Sequence, residues 1–159
     1  MLKPSRWIAV AVLVALLAGC AGGPVRRVSE PAASVQQLTV QEDGNWSIDL
    51  RLQNYSSIPM RFDRARFAFK VGDEDAGTLL AEPAITIGGE SADVVTVAFT
   101  PSSIARIVLA DALASGRGIR YSLEGAITAT PDDRSRVRDY DFKRNSQLSP
   151  VPGLPGVLR

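Results

Sequence analysis

The sequence predicts an all-β domain: an antiparallel sandwich of the immunoglobulin or fibronectin-III kind, with seven or eight strands and one short helix. Three observations carry this. From Val35 onward the apolar side chains recur at every second position, the period of a strand with one buried face. Clusters of Gly, Asp, Asn and Pro interrupt these runs at short intervals, as the turns of a meandering sheet require. Helical spacing occurs in one place only, so the strand–helix–strand alternation of a parallel sheet is missing. Two sheets with one apolar face each must then cover one another.

The elements follow in order. Leu38 and Val40 alternate with Gln37, Thr39 and Gln41, and Trp46, Ile48, Leu50 and Leu52 alternate with Ser47, Asp49, Arg51 and Gln53. Glu42, Asp43, Gly44 and Asn45 lie between them, and Asp-Gly between alternating runs marks a hairpin. A third strand spans 59–71, but its phase slips. Met60 and Phe62 share one parity, whereas Ala65, Phe67, Phe69 and Val71 share the other. A bulge near Asp63 and Arg64 returns both sets to the core side. The acidic segment 72–77 reads as a turn into the strand at 78–81. Ile85 and Ile87 then form a short strand before Gly88 and Gly89, and Val95, Val97 and Phe99 form another.

The helix begins at Thr100 and Pro101, a hydroxyl cap followed by proline in the first turn. Ile104, Ile107, Val108 and Leu113 supply its apolar stripe, and Gly116 and Gly118 end it. Ile119, Tyr121, Leu123 and Ile127 resume the two-residue period. A turn at 130–133 leads into a last strand with Tyr140 and Phe142. Beyond Leu148 the tail holds so many prolines and glycines that no regular structure is expected there. The domain therefore occupies 35–145, followed by a Pro/Gly-rich tail, 146–159.

The N-terminus says where such a domain would live. Lys3 and Arg6 precede an unbroken apolar run from Trp7 to Leu17, about half of the ~20 residues a membrane-spanning helix needs, which suits a secretory leader. The run closes on Leu17, Ala18, Gly19 and Cys20, the chain's one cysteine. These four residues resemble the bacterial lipobox, in which peptidase cuts before a cysteine whose thiol is acylated. The resemblance implies a leader over 1–19, lipid attachment at Cys20, and palmitate-type chains that bury ~0.8 kcal/mol per CH₂ in a membrane. Ala21 in second place, rather than aspartate, implies the outer membrane with the domain facing the periplasm. Gly22, Gly23, Pro24 and Pro31 make 20–34 a flexible tether.

The strand Ile48, Asp49, Leu50, Arg51, Leu52, Gln53, the following Asn54, and the Ile58, Pro59, Met60 entry to the next strand resemble the late-embryogenesis-abundant type 2 family. The module of that family is also called the water-stress and hypersensitive-response domain. The turn at 72–77, the strand at 94–99, the short helix and the strand at 119–127 match in order, covering about 35–145. Where the family has Asn-Pro-Asn, this chain has Asn54, Tyr55 and Ser56. The resemblance implies a non-catalytic protective or binding role under water, osmotic or desiccation stress. Asn54 itself suits a loop cap, its amide satisfying backbone groups where the strand ends.

Chemistry is sparse. The chain has no histidine, which removes Ser-His-Asp and Cys-His centres and the commonest metal ligand. No phosphate-loop, dinucleotide or zinc pattern occurs. Asp73, Glu74 and Asp75 are contiguous carboxylates without the twelve-residue spacing of a calcium loop, so they read as a solvated turn. No catalytic residue, cofactor or metal is expected. Of 18 basic and 17 acidic residues, Lys3 and Arg6 leave with the leader, so 16 basic residues remain against 17 acidic. This near-neutral balance argues against nucleic acid. The expected partner is a membrane, met through the N-terminal lipid. Arg61, Arg64, Arg66 and Lys70 on the solvent face of the third strand are candidates for contact with headgroups or with another envelope protein, which an exposed strand edge also suits.

Overall fold

The computed structural model describes residues 26–133 and 136–159. The leader, the lipobox residues Leu17, Ala18, Gly19 and Cys20, and the first part of the tether lie outside the described residues. Among those described, the order is β1 (Ala32–Val40), β2 (Trp46–Gln53), β3 (Met60–Val71), β4 (Glu74–Ala81), β5 (Ile85–Ile87), β6 (Ala92–Phe99), α1 (Ser103–Ala114), β7 (Ile119–Pro131), β8 (Arg138–Leu148) and β9 (Val157–Leu158). Two antiparallel sheets result. One runs β6-β2-β1-β9, the other β4-β3-β7-β8, with β5 also paired to β3. The sandwich expected from the two-residue period is the fold found.

Three bulges let the apolar residues share one interior. Phe62 pairs with Ala129 and Arg64 with Thr128, so Asp63 is the extra residue where the sequence phase slips. Val35 pairs with Leu50 and Gln37 with Asp49, so Gln36 does the same for β1 and brings both Val35 and Leu38 inward. The Val35 N–H donates to the Tyr121 hydroxyl of the opposite sheet at 3.1 Å. In β4 the extra residue is Ala76, between the Phe69–Gly77 and Lys70–Asp75 pairs. Trp46, Phe69 and Phe99 cluster where the sheets meet, with ring centroids 5.6–6.3 Å apart. Such edge-on and tilted pairs add to simple burial.

Four expectations need correction. The acidic turn is shorter than 72–77: only Gly72 and Asp73 turn, and Glu74 already pairs with Val71 as β4 begins. The helix cap is Ser102 rather than Thr100. Its Oγ accepts from the Ala105 N–H at 3.2 Å and donates to the Asp75 carbonyl at 2.7 Å, tying the helix to the β4 bulge. The buried helix face is Ala105, Leu109 and Ala112, whereas Ile104 and Ile107 are 58% and 69% exposed. The helix does stop at Gly116 (φ +63°), where the Arg117 and Gly116 N–H groups reach back to the Ala112 and Leu113 carbonyls.

The fourth correction concerns the tail. It returns along the domain, Val157 and Leu158 pair with Thr39 and Leu38, and Leu158 is fully buried. This short β9 is the strand beyond the eight that the alternating runs suggest. Residue 148, still in β8, marks where regular pairing pauses.

Candidate functional site

The most elaborate polar arrangement lies at the end of the sandwich opposite the helix. Asn54 follows β2 and is fully buried. Its Nδ2 donates to the carbonyls of Ile58 (2.9 Å), Ile87 (3.1 Å) and Gly88 (2.9 Å), and its Oδ1 accepts from the Ser56 N–H at 2.9 Å. One side chain thus ties together the loop after β2 and the end of β5. This is the loop-cap role expected of Asn54, and it is structural.

Ser56 and Ser57, which sequence reasoning passed over, hold the incoming chain. Ser56 Oγ accepts from the Ser29 N–H at 2.9 Å and donates to the Ser29 carbonyl at 3.2 Å. Ser57 Oγ accepts from the Arg27 N–H at 2.8 Å, while the Ser57 N–H donates to the Arg27 carbonyl at 2.9 Å. The Arg27 guanidinium meets Glu90 at 3.2 Å. Pro31 is buried and Val28 packs against the core. The second half of the segment expected as a flexible tether is therefore docked on the domain.

The candidate basic face is real as a face. Arg61, Arg64, Arg66 and Lys70 are all exposed on β3, opposite buried Phe62, Phe67 and Phe69. Its charge is largely answered in place. Arg61 pairs with Asp63 at 2.8 Å, Arg64 with Glu82 at 3.0 Å, and neighbouring Lys143 with Glu124 at 2.9 Å. Arg66 and Lys70 have no ion-pair partner among the described residues. An open polar hollow of about 550 Å³ lies beside Lys70, lined also by Asp73, Arg120, Ser122, Asn145 and Gln147. It holds no paired nucleophile and base.

Among the described residues no three His, Cys, Asp or Glu side chains gather as metal ligands, and no helix is long and apolar enough to cross a membrane. Strand pairing splits the acidic triplet, since Glu74 and Asp75 point to opposite sides of β4 and Asp75 Oδ1 accepts from the Gly77 N–H at 2.8 Å. The Asp43 carboxyl is clearly displaced. Hydrogen bonds from the Asn45 backbone N–H and side-chain amide hold it below the usual aspartate range, with burial opposing weakly. It shapes the β1–β2 turn and faces no cleft.

These features define a class: a small antiparallel sandwich, polar outside, closed by a cap of buried hydrogen bonds and without a catalytic cluster among the described residues. A family model described as late embryogenesis abundant protein, type 2, matches residues 49–142, and the chain belongs to that family. Membership suggests a role connected with water stress, and the family is not known for enzymes. Three solved structures are similar in outline. One is a crystal structure of a protein from Archaeoglobus fulgidus (15% identity, TM-score 0.45, covering 78% of this chain and 98% of that one). The second is a solution structure of an Arabidopsis thaliana protein (14%, TM-score 0.47, covering 80% and 82%). The third is a solution structure of a protein described as late embryogenesis abundant (16%, TM-score 0.47, covering 96% and 87%). No curated protein matches this chain closely enough to count as a relative.

Proposed function

We propose that the chain is a lipid-anchored, non-catalytic protein of the bacterial envelope that protects its compartment under water, osmotic or desiccation stress. The single observation that carries the anchoring is Cys20, the one cysteine, placed directly after a short apolar leader and Leu17, Ala18 and Gly19. Acyl chains on that sulfur hold the domain at a membrane, and more than one chain makes the attachment stable. Ala21 in second position favours the outer membrane, with the domain in the periplasm. The protective role is supported by family membership. A strain lacking the gene should survive drying or osmotic shock less well and recover with the wild-type copy. Equal survival with and without the gene overturns the protective role.

A second reading draws on Arg66 and Lys70, which lack ion-pair partners among the described residues, and on β8, an eleven-residue strand at the edge of its sheet. On this reading the domain is an assembly module for another envelope protein, met at that edge or across the β3 face. Crosslinking in cells then traps one dominant partner, and Arg66→Glu weakens the band. Diffuse background at every site removes this alternative.

A further inference from the structure

We infer, on the reading of Cys20 as the acylated residue, that the domain stands on its membrane by the loop end that carries Tyr55, with α1 pointing away from the lipid. The docked incoming segment is what demands this. Ser56 and Ser57 clip Ser29 and Arg27 to the loop after β2, so no more than residues 20–26 separate the lipid from the clipped chain. The seven steps from Cys20 to Arg27, at roughly 3.3–3.6 Å each, reach on the order of 25 Å at full extension. Fifteen residues would let either end of the sandwich reach the membrane; seven keep the loop end beside the lipid.

The two ends of the sandwich are far enough apart for this to matter. β1 enters beside Gln53, at the end that also holds Pro131 and Ile87. The helix lies at the other end, where Gly72 meets Val108 and Gly44 meets Arg106. β3 runs between the two ends over twelve residues. At about 3.3 Å per residue these ends are separated by more than 30 Å, beyond the span of the short tether.

The loop end has the chemistry of a headgroup layer. Tyr55 is 51% exposed, an apolar ring with a polar tip, the side chain that settles at membrane–water interfaces. Exposed Arg26 lies just outside the clip, and Val137 is 61% exposed on the neighbouring loop.

The test uses the full chain, expressed with its leader, purified from membranes and reconstituted in phosphatidylcholine–phosphatidylglycerol vesicles that carry a headgroup nitroxide. Trp46 reports from the helix end, since it pairs with Val40 beside the hairpin. Tyr55→Trp adds a reporter at the loop end, Ala110→Trp one on the helix and Ala126→Trp one on a sheet face. Tyr55→Trp should be quenched at least roughly twofold more than the other sites, as expected of an aromatic ring at headgroup level. Ser56→Ala with Ser57→Ala releases the clip, and quenching at position 55 should fall while the protein still floats with the vesicles. Flotation with equal quenching at all sites, with none at position 55, or with most at position 110 or 126 overturns the orientation alone. Failure to float overturns the anchor reading and the orientation with it.

Discussion

Replacing Asn54 by alanine removes a buried hub, and its cost follows from what the side chain holds. Its two amide hydrogens serve three carbonyls, so one bond is shared, and its oxygen takes the Ser56 N–H. Each buried polar group left without a partner costs ~1–3 kcal/mol. Three carbonyls and the Ser56 N–H lose this partner, and at the low end of that range for each the loss is about 3–5 kcal/mol, a large share of the 5–15 kcal/mol that holds a typical domain together. At about 4 °C per kcal/mol for a chain of this size, the midpoint of thermal unfolding drops by some 12–20 °C. Urea unfolding of the mature chain, followed by Trp46 fluorescence, measures this directly. Asn54→Asp, which sets a carboxylate against three carbonyl oxygens, should be no milder. Asn145→Ala, exposed and outside the cap, should stay within about 0.5 kcal/mol of wild type. An Asn54→Ala loss below about 1 kcal/mol would refute the idea that this amide closes the loop end.

Other perturbations separate the structure from the simpler sequence expectation. Leu109→Ala should cost ~2–5 kcal/mol by leaving a cavity under the helix, whereas Ile107→Ala should change stability by less than about 0.5 kcal/mol. The reverse order in urea titrations would restore the Ile104, Ile107 stripe as the buried face. Leu158→Ala should likewise cost ~2–5 kcal/mol, because the tail end is buried beside Leu38, and an unchanged midpoint would mean that the tail does not pack. The Asp43 carboxyl, followed by carbon NMR, should titrate below the ordinary aspartate range, and Asn45→Ala should move it back up. A carboxyl with a depressed folded value adds stability above its unfolded value and loses it as pH falls through the folded one. The turn should therefore loosen only in strong acid, and an unshifted titration would remove this contribution.

What was legible in the sequence was whatever the two-residue period expresses. The slip between Phe62 and Ala65 marked the Asp63 bulge because large apolar residues flank it on both sides. The Gln36 bulge leaves the same mark between Val35 and Leu38, but one small run of apolar residues made it easy to miss. The helix face was misread for a related reason. Ile104 and Ile107 outweigh Ala105 and Ala112 in hydrophobicity, yet the buried stripe runs through Ala105, Leu109 and Ala112. Thr100, Ser102 and Ser103 all offer a hydroxyl near the helix start, and only the Asp75 carbonyl, brought close by folding, selects Ser102. Composition hid the tail, since prolines and glycines mask the two residues that complete the sheet. Asn54 was legible as a cap, whereas Ser56 and Ser57 were not, because their partners lie 27–30 residues away.

The attachment of lipid to Cys20 is best tested by metabolic labelling with a palmitate analogue, followed by membrane fractionation of wild type and Cys20→Ser. Label on the wild type alone, with the variant released from the membrane fraction or retained as an uncleaved precursor, is the result expected. An unlabelled wild type, or a processed variant that sediments with membranes as fully as the wild type does, would contradict the account.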